Sequence, residues 1–358
     1  MFLLAVILCE ASGLAACREK APVAPSVIRI GASYPAKIIE SQTRLLEGLN
    51  LALEEINAAG GVMGAPVEIL FYDDGDNPEI AMQIADRFSA EGVTAVIGHW
   101  SSDVCYYAED VYEKAGVVML SPGATSTGLF KSDYQYIFRM LPGDDVFAGY
   151  LAEFAEQKKL RRIAMFYSDD EFGRDLSKFA ERALKRYGIP VVDRVNVLTP
   201  ASMEDIFVRW DAFGADAVLI AANLQEAAEP VSLICERYPD MPVISSESLN
   251  KLTVRSELGL AVDDLYTVTY SPSIIDINFQ RRYEEKFGNA PDIFAISGFV
   301  AMHLITEAMN SAQSSSGDAV AAWLRSVQNH DTVIGPISYN EKTRNFDGQP
   351  FIVTQITR

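Results

Sequence analysis

The sequence predicts an α/β protein of two lobes, each a mostly parallel sheet with helices on both faces. Two observations carry this. Short apolar strands alternate with amphipathic helical segments along most of the chain. The alternation stops at Pro142-Gly143 and then restarts, so there are two such series in place of one long sheet. Length agrees: 358 residues are long for one core and comfortable for two.

The elements follow in order. Val27 to Ala32 reads as a strand. Leu45, Leu46, Leu49, Leu53 and Ile56 share one face of a helix that ends at Gly60-Gly61. Val67 to Tyr72 is the next strand and Pro78 to Ala90 the next helix. Strands at Thr94 to Gly98 and Val117 to Leu120 flank a further helical segment, and Tyr136 to Met140 closes the first series. The second series has strands at Arg162 to Tyr167, Val191 to Val197, Ala217 to Ala221 and Val243 to Ser245. Its helices cover about Arg174 to Tyr187, Ser202 to Phe213 and Glu226 to Arg237. After a strand at Tyr266 to Tyr270 come helices at about Asp276 to Phe287, Phe294 to Ser311 and Asp318 to Val327. Short strands at Ile337 to Tyr339 and Phe351 to Ile356 finish the pattern. This predicts two Rossmann-like lobes joined by a multi-strand hinge. Residues 27–142 with 273–335 are assigned to lobe 1, and residues 143–272 with 336–358 to lobe 2. The expected crossings lie near Pro142-Gly143, near Ser271-Pro272-Ser273 and within Gly335 to Pro350.

The formal net charge is −19, from 30 Lys and Arg against 49 Asp and Glu. No basic run offsets it, so nucleic acid is not an expected partner. The N-terminus has a separate character. Phe2 to Leu8 is continuously apolar but too short to span a bilayer. It leads to Leu14-Ala15-Ala16-Cys17, which resembles the cleavage site of bacterial lipoprotein signals. The resemblance implies a signal at residues 1–17, a lipid on Cys17, a tether at 18–26 and attachment to the outer side of a membrane. Of the remaining cysteines, Cys105 and Cys235 fall in different lobes and are expected to be free, because a bridge between lobes would block hinge motion.

The densest chemical signal is at two strand ends. Ile97-Gly98 leads into the small polar turn Trp100-Ser101-Ser102, and Leu120 into Ser121-Pro122-Gly123-Ala124-Thr125. In open α/β sheets ligands bind outside the carboxyl ends of the strands. Both turns carry hydroxyls and backbone N–H groups and neither carries a nucleophile paired with a base, a pattern suited to holding a small polar molecule.

This segment resembles the periplasmic leucine/isoleucine/valine-binding protein family, the type I solute receptors of ABC importers. Further markers are Glu54-Glu55-Ile56-Asn57-Ala58-Ala59-Gly60-Gly61, Gly64, Tyr72-Asp73-Asp74, Val96-Ile97-Gly98-His99, Phe138-Arg139, Asp144, Pro291 and Gly335-Pro336-Ile337-Ser338-Tyr339. The resemblance covers nearly all of Ile28 to Tyr339 and implies a monomer of the type I periplasmic binding protein fold, closing on an amino acid or related carboxylate and docking on an importer permease. By the same resemblance, Ser102 with Gly123, Ala124 and Thr125 would hold a ligand carboxylate, beside Ser101. Glu247, after Val243 to Ser246, would accept the ammonium. Phe172, Asn223 and Trp100 would line the side-chain end, where Phe172 keeps the family's aromatic without the frequent hydroxyl and Asn223 replaces another aromatic. A cysteine pair found in some members is replaced by Asp76 and Ser101. Other readings stay open. Ser102 and Thr125 would equally serve as helix caps, Glu247 as a solvated loop residue and Trp100 as a core residue. A receptor domain signalling to a membrane partner is the alternative function.

Chemistry is not expected. The three histidines, His99, His303 and His330, sit in no triad pattern, and no cofactor or metal motif is present. Asp73-Asp74-Gly75-Asp76 has the wrong spacing for a calcium loop and reads as a polar turn. An enzyme would have to use Cys105 or His99.

Overall fold

The computed structural model describes residues 27–129, 133–196, 202–250, 264–348 and 350–356. The signal, Cys17 and the tether lie outside them.

Two sheets organise the molecule. The first has eight strands in the order β11-β12-β13-β5-β4-β3-β1-β2, and the second six in the order β14-β10-β9-β8-β6-β7. In the first series these are β1 (Ile28–Tyr34), β2 (Val67–Asp73), β3 (Ala95–Gly98), β4 (Val118–Ser121) and β5 (Ile137–Arg139). The second series is β6 (Ile163–Tyr167), β7 (Val191–Asn196), β8 (Ala217–Ala221), β9 (Val243–Ser245) and β10 (Leu265–Tyr270). The last four are β11 (His330–Thr332), β12 (Gly335–Asn340), β13 (Asn345–Asp347) and β14 (Phe351–Gln355). The helices are α1 (Ala36–Gln42), α2 (Leu45–Ala58), α3 (Pro78–Ala90), α4 (Ser102–Ala115), α5 (Asp144–Gln157), α6 (Glu171–Arg186), α7 (Met203–Phe213) and α8 (Leu224–Arg237). After the second sheet come α9 (Ile277–Phe287), α10 (Ile293–Ala312) and α11 (Gly317–Ser326).

The central strands of each sheet are buried on both faces, and the period-two alternation decides which core each of their residues joins. Ala95 and Ile97 of β3 join the main core while Val96 joins the one under α3 and α4. In β6, Ile163 and Met165 join the main core while Ala164 and Phe166 join the one under α7 and α8. The main core is continuous across the hinge, where Tyr270 stacks on Phe351 at 4.8 Å and Phe147 meets Phe351 edge-on at 5.4 Å. Helix α10 is long and apolar enough to cross a membrane by composition, but 83% of its apolar window is inside the fold. It packs on α2 at very short range: a Cβ on Gly48 would lie 1.9 Å from the Ala295 carbonyl oxygen. That contact explains a glycine in mid-helix despite its propensity cost.

Two differences from the sequence reading stand out. Helix α5 follows Pro142-Gly143 directly, where no element was assigned; its first residues, Asp144 and Asp145, suit a helix N-terminus. The last crossing lies within the expected span, at its far end, so the boundary drawn between residues 335 and 336 is too early. Residues 336–347, assigned to the second lobe, pair in the first sheet: β12 with β13, and β13 with β5 at Asn345 and Arg139. Only β14 joins the second sheet, against β10. The chain therefore changes sheet between β13 and β14, because Asn345 and Phe346 are buried beside β5.

Candidate ligand-binding cleft

The carboxyl ends of β3, β4, β6, β8 and β9 face one cleft between the sheets. Its lining is Trp100, Ser101, Ser102, Asp103, Gly123, Thr125, Asp170, Phe172, Asn223, Glu247, Ser248 and Phe294. Eight of the nine residues singled out from sequence are in that set. Ala124 is the correction. It is buried and its N–H donates to Ser121 Oγ at 3.0 Å, so its amide is spent inside the turn.

The two first-lobe turns are tied together. Ser101 caps α4, its Oγ accepting the Val104 N–H at 3.4 Å. Ser102 does something else: its Oγ accepts N–H bonds from Thr125 at 3.4 Å and Ser126 at 3.2 Å. A hydroxyl with both lone pairs engaged still has its proton to donate. Behind it, Ser121 Oγ donates to the His99 carbonyl at 2.8 Å. Gly123 is fixed by space, since a Cβ there would lie 3.0 Å from Trp100 Cε3. Trp100 in turn packs on Phe294, with centroids 4.5 Å apart. Phe294 was missed in the sequence because it opens an apolar helix and looks like core.

His99 has partners that the local sequence did not reveal. Its Nδ1 lies 2.6 Å from Asp74 Oδ2 and its Nε2 lies 3.1 Å from the Tyr112 hydroxyl, all fully buried. The Asp73 to Asp76 run is the polar turn the spacing suggested, with Asp74 Oδ1 accepting the Asp76 N–H at 3.0 Å. Cys105 is buried, and desolvation pushes its thiol far up. Neither His99 nor Cys105 lines the cleft. Cys235, also buried, is free like Cys105.

On the second lobe, hydroxyls position Glu247. It opens a single 3₁₀ turn, Glu247–Leu249, at the end of β9. Ser245 Oγ donates to the Ile220 carbonyl at 2.9 Å, and Ser248 Oγ donates to that of Ala222 at 3.1 Å. These bonds sew the Glu247 turn to the end of β8. Glu247 itself is 4% exposed.

Asp144, at the start of α5, is a family marker with no role assigned from the sequence, and it is the notable addition. It is fully buried, with the Thr125 hydroxyl and the Arg139 guanidinium as its polar neighbours. Burial pushes its carboxyl well above the usual range, and the charge of Glu247 adds to this; the Thr125 hydroxyl and Arg139 pull the other way. Arg139 is buried too. Its Nη1 donates to the Thr125 and Ser126 carbonyls at 3.1 and 3.0 Å, and its Nη2 to that of Thr343 at 2.9 Å.

The lobes touch across the cleft. Asp175 on α6 accepts from the Thr127 N–H at 2.5 Å and the Thr127 hydroxyl at 2.6 Å. Asp103 on α4 accepts the Glu171 N–H at 3.2 Å, and Gln225 on α8 donates to Gln42 on α1 at 3.2 Å. The conformation is closed.

Several acids here carry raised pKa values, which sets the pH dependence of stability. Burial raises Asp103, Asp144 and Glu226, and pushes Asp292, the cap of α10, up to about 6. An acid whose folded pKa is raised contributes stability below its unfolded pKa, and loses it as pH rises through the folded value. For Asp292 the window opens near pH 4, closes above about pH 6 and is on the order of 3 kcal/mol. The ligand-free protein is expected to melt at a higher temperature at pH 5 than at pH 8. A melting temperature that climbs over that interval would contradict it.

With the geometry in place, similarity can be weighed. A family profile described as periplasmic binding protein matches residues 28–358. This chain belongs to the periplasmic binding protein family. Within that family it is similar to the Leu/Ile/Val-binding protein of Escherichia coli K12, 26% identical over 310 residues, covering 82% of this chain and 81% of the relative. It is 25% identical over 319 residues to the leucine-, isoleucine-, valine-, threonine- and alanine-binding protein of Pseudomonas aeruginosa, covering 84% and 82%. Among solved structures, an ABC transporter substrate-binding protein from Desulfitobacterium hafniense in complex with Leu is 27% identical, with a TM-score of 0.82, covering 92% of this chain and 98% of that one. A periplasmic binding protein works outside the cytoplasm, and the two-lobed α/β architecture agrees with such structures.

Proposed function

We propose that this periplasmic binding protein captures an α-amino acid in the cleft and delivers it to the permease of an ABC importer. The observation that carries this is the division of donors and acceptors between the lobes. On the first lobe, the Ser102 hydroxyl proton, the turn at Gly123 and the N-terminus of α4 offer donors and a positive dipole end to a carboxylate, with Thr125 lining the same wall. On the second, Glu247 offers an acceptor to an ammonium, with Asp144 behind it. A buried carboxylate is costly to keep ionised, and an ammonium beside Glu247 offsets part of that cost. Binding then favours the closed form, because only there do both halves of the ligand find partners. The protein acts as a monomer held at a membrane surface, outside the cytoplasm, by a lipid on Cys17. The reading assigns it no reaction, and the burial of Cys105 and His99 behind the first turn, outside the cleft lining, supports that.

A thermal-shift screen tests this on protein stripped of copurified ligand by partial unfolding and dialysis. At least one amino acid at millimolar concentration is expected to raise the melting temperature by several degrees. If only acids without an amine do so, the Glu247 role is wrong.

A further inference from the structure

The cleft opens outward into a second chamber of about 340 Å³, far larger than the roughly 30 Å³ left around the two turns. The two spaces share Trp100, Ser101, Asp103, Asp170 and Asn223 as walls. A ligand whose head fills the inner space must send its side chain into the outer one. The walls there are acidic. Asp76 and Asp103 come from the first lobe, Asp170 and Glu226 from the second, and no Lys, Arg or His is among the described lining residues of either space. The nearest cation acting on Asp103 is Arg174, whose guanidinium is engaged by Asp169 and Glu171.

Closure brings these carboxylates together at a cost. Asp103 and Glu226 both feel desolvation and the charge of Asp170, which makes their ionised forms harder to hold. The inner end is acidic as well: Asp144 is fully buried behind the Thr125 hydroxyl and feels the charge of Glu247. One α-ammonium would meet the inner acids, and Asp103, Asp170 and Glu226 would still face an outer chamber with no cationic side chain among its described lining residues. The net charge of −19 further favours a cationic ligand in the approach to the cleft.

We propose that the ligand carries a second positive charge at the end of its side chain, held in the outer chamber by Asp103, Asp170 and Glu226. The class is a basic amino acid: an α-carboxylate, an α-ammonium and a distal ammonium or guanidinium on an extended stem. The stem would lie along Trp100. This rests on the amino-acid reading of the inner cleft and names the side chain that such a ligand bears.

Isothermal titration of the ligand-stripped protein with L-lysine, L-ornithine, L-arginine, L-leucine and L-glutamine tests it, at 20 mM and 300 mM NaCl. At least one basic amino acid is expected to bind ten-fold or more tighter than leucine and glutamine. Its affinity should fall with salt more steeply than theirs, because the outer chamber is partly solvated. Glu226→Gln, checked for an unchanged circular dichroism spectrum, should reduce the ratio of basic to neutral affinity by at least five-fold; Asp103→Asn should do the same if Glu226→Gln fails to fold. Leucine or glutamine binding as tightly as every basic amino acid overturns this inference while leaving the amino-acid reading in place. Binding of none of the five overturns both.

Discussion

Glu247→Gln is expected to weaken amino-acid binding by about 100-fold, on the order of 3 kcal/mol. The change keeps volume and one carbonyl oxygen but removes the charge that meets the ammonium. In a solvated loop such a substitution would cost little. Here the side chain is 4% exposed at the bottom of a closed cleft, so water does not replace the lost partner. Asp144 compensates only in part, because it sits behind Thr125 and does not line the cleft. The control is the same ligand without its amine, whose affinity should change by less than about three-fold. Titration calorimetry on both ligands separates the outcomes: an equal loss for each would mean that Glu247 shapes the cleft and does not read the ammonium.

Arg139→Met is expected to reduce folding stability by about 3–5 kcal/mol, read from urea unfolding at pH 7. Methionine roughly matches the aliphatic stem and deletes the guanidinium. The carbonyls of Thr125, Ser126 and Thr343 would lose a donor in a water-free interior, each at about 1–3 kcal/mol before relaxation. Asp144 would also lose a positive charge that helps its ionised form. Arg139→Lys should recover only part of this, since one ammonium cannot reach carbonyls on both the second turn and the β12–β13 loop. A loss below about 1 kcal/mol would show that the interior closes over the gap by repacking.

Much of this molecule is legible in its sequence, for physical reasons. Strands such as Ala217 to Ala221 are buried on both faces, so they read as unbroken apolar runs. The turn residues at Trp100 to Ser102 and Gly123 to Thr125 sit where strands must end, and the edge rule for open sheets makes them suspects at once. What stayed hidden depends on contacts between distant segments. The His99 and Asp74 bond joins the ends of two different strand connections, and no local spacing announces it. Asp144 looks like an ordinary first-turn acid until burial removes its water. Asp103 and Asp170 look like helix-start acids too, and only the meeting of two lobes makes them opposing walls. Residues 336–347 were placed in the wrong sheet because periodicity tells a strand's faces but not its neighbours.

The late strands have a consequence for how the chain reaches its place of work. The first sheet is finished by β12 and β13 and the second by β14, so both wait for residues beyond 330. Pairings such as Arg139 with Asn345, some two hundred residues apart, make the fold one of high contact order, slow to form. A polypeptide that threads through a translocation pore must not lock into its native shape beforehand. By postponing closure of both sheets to its last segments, this topology keeps the fold incomplete until those segments are in place.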